Sequence, residues 1–174
     1  FQVLSSAFVT HTREVDEILR SPLFAVHVTA ALLGYVALSV AAVYGTMYVL
    51  LYRELKKHRV GLIFRRLPNL ETLSRLNTGA VLFGWIALTL AILLGSVWAD
   101  ELTSRGWLEG SYYTDPKFLL SLALWALYGA TLGGRYFFRW PNRQLAYLSI
   151  VAFVLMLASS LAVNLFLPSF HHFS

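Results

Sequence analysis

Four long runs of this sequence carry almost no charge, and they constrain the fold more than any other feature. Residues 22–52 hold 31 positions without a fixed charge, with His27 as the sole imidazole. Residues 76–99 give 24 uncharged positions and residues 145–167 give 23. Residues 118–134 give 17, extended to 138 by a stretch in which Arg135 can snorkel to the interface. A bilayer core about 30 Å thick takes roughly 20 apolar residues in a helix. The expectation is an all-α polytopic membrane protein, a four-helix transmembrane bundle with spans near 22–52, 76–99, 118–138 and 145–167. Composition agrees: 57% of residues are apolar and 13% charged, against about 25% charged in soluble domains. Residues 22–174 read as the membrane domain and residues 1–21 as an outer-side segment. Within that segment, residues 10–20 mix charge with Val15, Ile18 and Leu19 at helical spacing, as in an amphipathic surface helix. No basic leader with a short apolar core precedes the first run, so no signal peptide is expected.

Charge sets the expected orientation. Residues 53–75 carry seven Lys/Arg, and the third connection adds Arg135, Arg139 and Arg143, so ten of the fourteen cations share one side. Seven of the nine acids lie on the other: Glu14, Asp16, Glu17, Asp100, Glu101, Glu109 and Asp115. The positive-inside rule makes the basic side cytoplasmic and puts both chain ends outside, as in a bacterial cytoplasmic membrane. Topology thus accounts for the net charge of +5, and no nucleic-acid partner is expected. The chain contains no cysteine, which excludes disulfides, thiol exchange and a covalent c-type haem attachment site of its own.

Small residues recur at helical spacing within the runs: Ala30, Gly34, Ala41 and Gly45; Gly84, Ala87, Ala91 and Gly95; Ala123, Ala126, Ala130 and Gly134. Such stripes let helix backbones approach closely in lipid, so each is expected to mark a packing face. Pro141 and Asn142 read as the tight third turn, and Pro68 as the break in the longer basic connection.

No glycine-rich phosphate loop, metalloprotease helix or nucleophile elbow is present. The residues with chemical potential are histidines and aromatics at the outer face. His27 lies near the outer end of the first run, and His171 and His172 follow the outer end of the fourth. Two neutral imidazoles from separate helices can clamp a planar porphyrin as axial ligands. The plainer alternative for His27 is a hydrogen bond to a neighbouring helix. Trp98, Trp107, Tyr112 and Tyr113 gather in or beside the outer connection. They suit either an interfacial aromatic belt or the flat apolar face of a porphyrin. His58 falls in the basic connection, and His11 has no evident partner.

The order of these features resembles the cytochrome c assembly family, whose members include CcsA, CcmC and HemX-like proteins. The segment Phe24-Ala-Val-His27-Val-Thr-Ala-Ala-Leu-Leu-Gly34-Tyr35 is similar to the family helix that brings the first outer histidine. Leu67-Pro68-Asn69-Leu70-Glu71-Thr72-Leu73 resembles the "LPSLExL" segment most typical of the HemX-like branch, and Gly95-Ser96-Val97-Trp98-Ala99 resembles "GAxWA". Gly110 to Lys117, with Trp125 and Tyr128 after it, is similar to the tryptophan-rich "WGxYWxWDPKE" loop and its following helix. Val163-Asn164-Leu165 and His171-His172-Phe173 resemble the ending that holds the second outer histidine, best aligned with His171.

The resemblance implies an outer-face site for non-covalent b-type haem. His27 and His171 would be the metal ligands, with His172, Trp98, Trp107, Tyr112, Tyr113 and Asp115 around the cofactor. It also implies partners among other membrane proteins of cytochrome c maturation. The loop departs from the family pattern: Tyr113 stands where a tryptophan is expected, one position before Asp115 is missing, and Phe118 replaces a glutamate. Enzymatic haem attachment is therefore not expected. The implied function is to bind or pass haem at the outer membrane face; the alternative is a HemX-like accessory subunit acting through protein contacts without haem.

Overall fold

The computed structural model describes residues 21–58, 67–106 and 112–166, with side chains for all of these but Tyr112 and residues 162–166. Four helices account for most of them: α1 (Pro22–Lys56), α2 (Leu70–Ser104), α3 (Pro116–Tyr136) and α4 (Asn142–Phe166). A single 3₁₀ turn, Tyr112–Thr114, precedes α3. All four helices are long and apolar enough to cross a membrane.

The sequence marks most helix starts with a capping side chain. Ser21 accepts from the Phe24 amide and Pro22 occupies the first turn of α1. Asn69 Oδ1 accepts from Thr72 N at 2.8 Å to open α2. Asp115 Oδ1 accepts from Lys117 N at 2.6 Å to open α3, again with proline in the first turn. A cap followed by proline suits a helix start, because it satisfies a free amide where proline has none to offer. Two segments that carry the family resemblance, Leu67–Leu73 and Asp115–Lys117, are thus helix starts. Removing the Asp115 cap with Asp115→Ala should lower the thermal midpoint by the equivalent of about 1 kcal/mol. Asp115→Ser, which can still cap, should recover most of it; a midpoint unmoved by both would deny the cap any role.

Helix ends are equally specific. His58, at φ 52°, follows the Lys57 C-cap of α1, and Gly106, at φ 72°, follows Arg105 after α2. These are left-handed terminations that release the chain from the helix. The third turn places Arg139 at φ 50°, and Trp140 folds back over Gly134, where any Cβ would collide with the indole.

α1 packs most extensively on α2 and also on α4, while α3 packs on α4 and α2; α1 and α3 lie diagonally opposed without close packing. At 1.5 Å per residue the 35-residue α1 and α2 are each about 52 Å long and the 21-residue α3 about 31 Å. The first two helices therefore overrun a hydrocarbon core that α3 just spans.

Small residues set the closest approaches. A Cβ at Gly34 would stand 3.3 Å from the Leu88 amide nitrogen and 3.4 Å from the Gly84 carbonyl, so α1 and α2 touch backbone to backbone. Between α1, α2 and α4 lies a buried polar knot. Asn77 Nδ2 donates to Ala41 O at 2.7 Å and to Ser149 Oγ at 2.9 Å, and Ser149 donates to Ala146 O. Trp85 and Trp125 stack at 5.3 Å between α2 and α3. Trp85 Nε1 donates to the Trp125 carbonyl and Trp125 Nε1 to Thr89 Oγ1. In a hydrocarbon setting each such indole N–H needs an internal acceptor.

The first two small-residue stripes behave as the sequence suggests, with Gly34, Ala41, Gly45, Gly84, Ala87, Ala91 and Gly95 buried and Ala30 half-buried. The third does so only at Gly134. Ala123, Ala126 and Ala130 face outward, and α3 buries Leu124, Tyr128, Thr131 and Leu132 instead. The large ring of Tyr128 and the Trp85 indole, which occupies the notch at Gly129, set the contact face of α3. Outside the seams the helices present a belt of large apolar side chains, among them Leu32, Val36, Phe83, Leu93, Leu119 and Val154. That belt would be a prohibitive apolar surface in water and is the ordinary surface of a protein in lipid.

Candidate haem-facing site at the acidic end

The bundle has two chemically distinct ends. At one, Arg135 Nη1 donates to Ser74 Oγ at 3.3 Å and to Asn142 Oδ1 at 3.1 Å, and Arg143 Nη1 reaches the Tyr52 hydroxyl at 3.5 Å. The basic connections on either side of α2 and α3 therefore meet at the same end, as the charge pattern requires. The opposite end carries His27, Trp98, Asp100, Tyr113 and Asp115.

His27 sits in the second turn of α1, on the face that carries Gly34 and meets α2. Its Nδ1 lies 2.7 Å from the Ala91 carbonyl oxygen of α2. A carbonyl has no proton to give, so Nδ1 carries the proton and donates. In the neutral ring this leaves Nε2 as the unprotonated nitrogen. Fixing one ring nitrogen by a backbone carbonyl is how metal-binding histidines are held in a single tautomer and orientation. The packing seam explains the contact: close approach at Gly34 and burial of Ala91 bring the α2 backbone within reach of an imidazole two helical turns further out.

Aromatic rings flank that end of the seam. Phe24, one turn before His27, meets Trp98 with ring centroids 5.0 Å apart and planes tilted by 43°. Tyr113, 49% exposed, donates its hydroxyl to the Asp100 carboxylate at 3.2 Å and meets the Phe118 ring edge-on at 5.6 Å. The charge of Asp100, with smaller help from burial and that hydrogen bond, holds the Tyr113 phenol above its ordinary range, so it stays a donor. The end of the aromatic loop that leads into α3 is thus tied back to α2 and α3.

Of the residues expected to form the site, the structure brings His27 and Trp98 to one end of the α1/α2 seam and ties Tyr113 to that end through Asp100. Asp115 is 2% exposed and is engaged as the α3 cap. His171, His172, Trp107 and the Tyr112 side chain lie outside the described residues, as does the segment 10–20. Among the described residues no cluster of three or more His, Cys, Asp or Glu could hold a metal ion. A haem site needs no such cluster, since the porphyrin supplies four nitrogens and the protein adds axial ligands. The donor set fits that demand in part: a tautomer-fixed imidazole beside an aromatic pair.

Sequence reasoning missed two features. One is the Ala91 carbonyl, which no side chain announces. The other is a cavity of about 410 Å³ between α1, α3 and α4, lined by Tyr35, Ser39, Lys117, Ser121, Met156 and Ser159 among others. It opens where α1 and α3 fail to pack, and His27 does not line it. Serines on three spans are the signal that could have found it.

Comparison with known proteins adds the lineage. The sequence pattern of the family described as Cytochrome C assembly protein matches residues 1–171. Protein HemX of Brevibacillus brevis is 32% identical over 161 residues, covering 91% of this chain and 57% of the relative. The cytochrome c biogenesis protein CcsA of Guillardia theta is 29% identical over 171 residues, covering 89% and 55%. CcsA of Parasynechococcus marenigrum is 30% identical over 169 residues, covering 84% and 53%. The chain thus spans little more than half the length of these relatives. No solved structure gives a significant match. With four membrane-length helices and a family match along nearly its whole length, this chain is an integral membrane protein that belongs to the cytochrome c assembly family.

Proposed function

We propose that the chain binds or passes haem at the outer face of the membrane as a component of cytochrome c maturation, and that His27 Nε2 would be one of the nitrogens holding its iron. The observation that carries this reading is the 2.7 Å contact of His27 Nδ1 with the Ala91 carbonyl, which fixes the ring and leaves the other nitrogen free. His171 is the second proposed ligand, with His172 beside it. Trp98, Tyr113 and the loop residues Trp107 and Tyr112 supply apolar surface for the porphyrin, and Asp115 supports them by starting α3 where the loop ends. When bound, haem supplies the iron and its redox chemistry; the chain's own residues orient the ring nitrogen and limit water at that end of the seam. Transfer to or from this site requires other membrane proteins of the maturation pathway.

The test is a visible spectrum of the purified chain titrated with haem. The expected result is a Soret band that saturates near one haem per chain, with a reduced spectrum typical of two nitrogen ligands. Absence of saturable binding would leave the accessory role, acting through protein contacts alone. That second reading draws on a specific feature: His27, Asp100, Tyr113 and Asp115 each already make an internal hydrogen bond.

Orientation belongs to the same proposal, with the basic end cytoplasmic. Because the chain has no cysteine, single cysteines at Lys57 and Arg105 can be labelled in intact cells with an impermeant reagent. Labelling at 105 and protection at 57 is expected; the reverse would invert the topology and move His27 to the cytoplasmic side.

A further inference from the structure

We propose that the basic end of the α1/α4 seam is a binding site for the phosphate of an anionic phospholipid. Two guanidinium groups are held there by tyrosines from the opposite helix. Arg143 of α4 reaches the Tyr52 hydroxyl at 3.5 Å and its guanidinium lies 5.4 Å from the centre of the Tyr52 ring. Arg53 of α1 donates to the Tyr147 hydroxyl of α4 at 3.2 Å. Tyr52 and Arg53 are neighbours on α1, and Arg143 and Tyr147 are one turn apart on α4. The crossed pairs therefore bring both cations to one seam.

Among the described residues neither cation is neutralised by an acid. The ion pairs among the described residues are Arg75 with Glu71 and Arg105 with Glu101, neither of which involves α1 or α4. Glu54, next along α1, pairs with neither arginine. Each guanidinium carries five N–H donors and spends one on a phenol. The remaining donors sit on exposed side chains at the end of two membrane-spanning helices. Arginine forks match the oxygens of a phosphate in bidentate fashion, and aromatic tips are at home at headgroup level. Two unneutralised charges at that level select a lipid of net negative charge over a zwitterionic one. This site lies at the opposite end of the bundle from His27 and does not depend on haem.

The test separates a built clamp from the general attraction of a basic membrane face. The full chain, in nanodiscs or detergent, is probed by native mass spectrometry with phosphatidylglycerol and with phosphatidylcholine. The unmodified chain is expected to retain phosphatidylglycerol selectively. Arg53→Lys with Arg143→Lys keeps the charge but removes the forks, and should weaken retention about tenfold, the worth of one charge-assisted hydrogen bond. Lys56→Ala with Lys57→Ala removes two charges from the same end of α1 and should weaken it less. Should the lysine exchange unfold the chain, Tyr52→Phe with Tyr147→Phe leaves both arginines in place and is expected to reduce retention by releasing them. Equal losses in the arginine and lysine pairs, or retention unmoved by either the Arg→Lys or the Tyr→Phe pair, would overturn the clamp. Displacement of the lipid by inorganic phosphate would overturn the lipid as its occupant.

Discussion

Gly45→Leu is expected to prevent the four helices from assembling. A Cβ at position 45 would stand 2.7 Å from Ser149 Oγ, 2.9 Å from the Ala146 carbonyl oxygen and 3.3 Å from Asn77 Nδ2. One of those atoms is backbone, and the other two belong to the knot in which Asn77 donates to Ala41 and Ser149. None can move aside like the far end of a flexible side chain. Even Gly45→Ala must push α4 away or break the knot, a cost of about 1–3 kcal/mol by analogy with other overpacked cores. Leucine cannot be accommodated at all. Gly79 is the internal control, because a Cβ there meets nothing within 4 Å, so Gly79→Ala should be neutral or slightly stabilising. Thermal unfolding in detergent, followed by circular dichroism, reads the difference. Equal midpoints for Gly45→Ala and Gly79→Ala would mean that the α1/α4 contact is not as close as described.

His27→Ala is expected to have the largest functional effect. It removes two things at once: the proposed axial nitrogen and the hydrogen bond that ties α1 to Ala91. Loss of the bond alone is worth about 1 kcal/mol, in line with polar contacts measured between membrane helices. The protein should therefore fold, with a slightly lower midpoint. Changes to groups that merely orient a metal ligand cost about 10- to 100-fold in metal affinity, so loss of the ligand itself should exceed that. Haem titration of the variant should show no saturable Soret band at concentrations that fill the unmodified chain. His58→Ala, a change at the basic end, should bind as the unmodified chain does.

The spans and most helix starts are legible in the sequence because lipid and backbone chemistry leave few alternatives. An uncharged run of bilayer length must be a helix, and Ser-Pro, Pro-Asn and Asp-Pro steps mark where three of the helices begin. The packing faces are only partly legible. In water the apolar side of a helix is its buried side, but in lipid both sides are apolar, so periodicity cannot say which one meets protein. Gly34 and Gly84 identify their seam because only a missing Cβ allows two backbones to touch. Ala123, Ala126 and Ala130 have the same spacing but no partner of matching shape, and Tyr128 takes the interior instead. The site follows the same division. His27 stands out by residue type and depth, whereas its partner is a carbonyl selected by the register of α1 on α2, which leaves no trace in composition. The cavity between α1, α3 and α4 arises from a pair of helices that do not pack closely, and no single residue encodes that.

The two roles open to His27, ligand and helix fastener, are separated most directly by the haem content of His27→Asn. The asparagine amide nitrogen can take the place of Nδ1 and donate to Ala91, preserving the contact between α1 and α2. It offers nothing in place of Nε2. Haem bound per folded chain, measured on purified protein whose thermal midpoint matches the unmodified one, is the deciding quantity. The haem-handling account requires that binding be lost while stability is kept. A variant that binds haem as well as the unmodified chain would contradict it and leave His27 as a fastener between two helices.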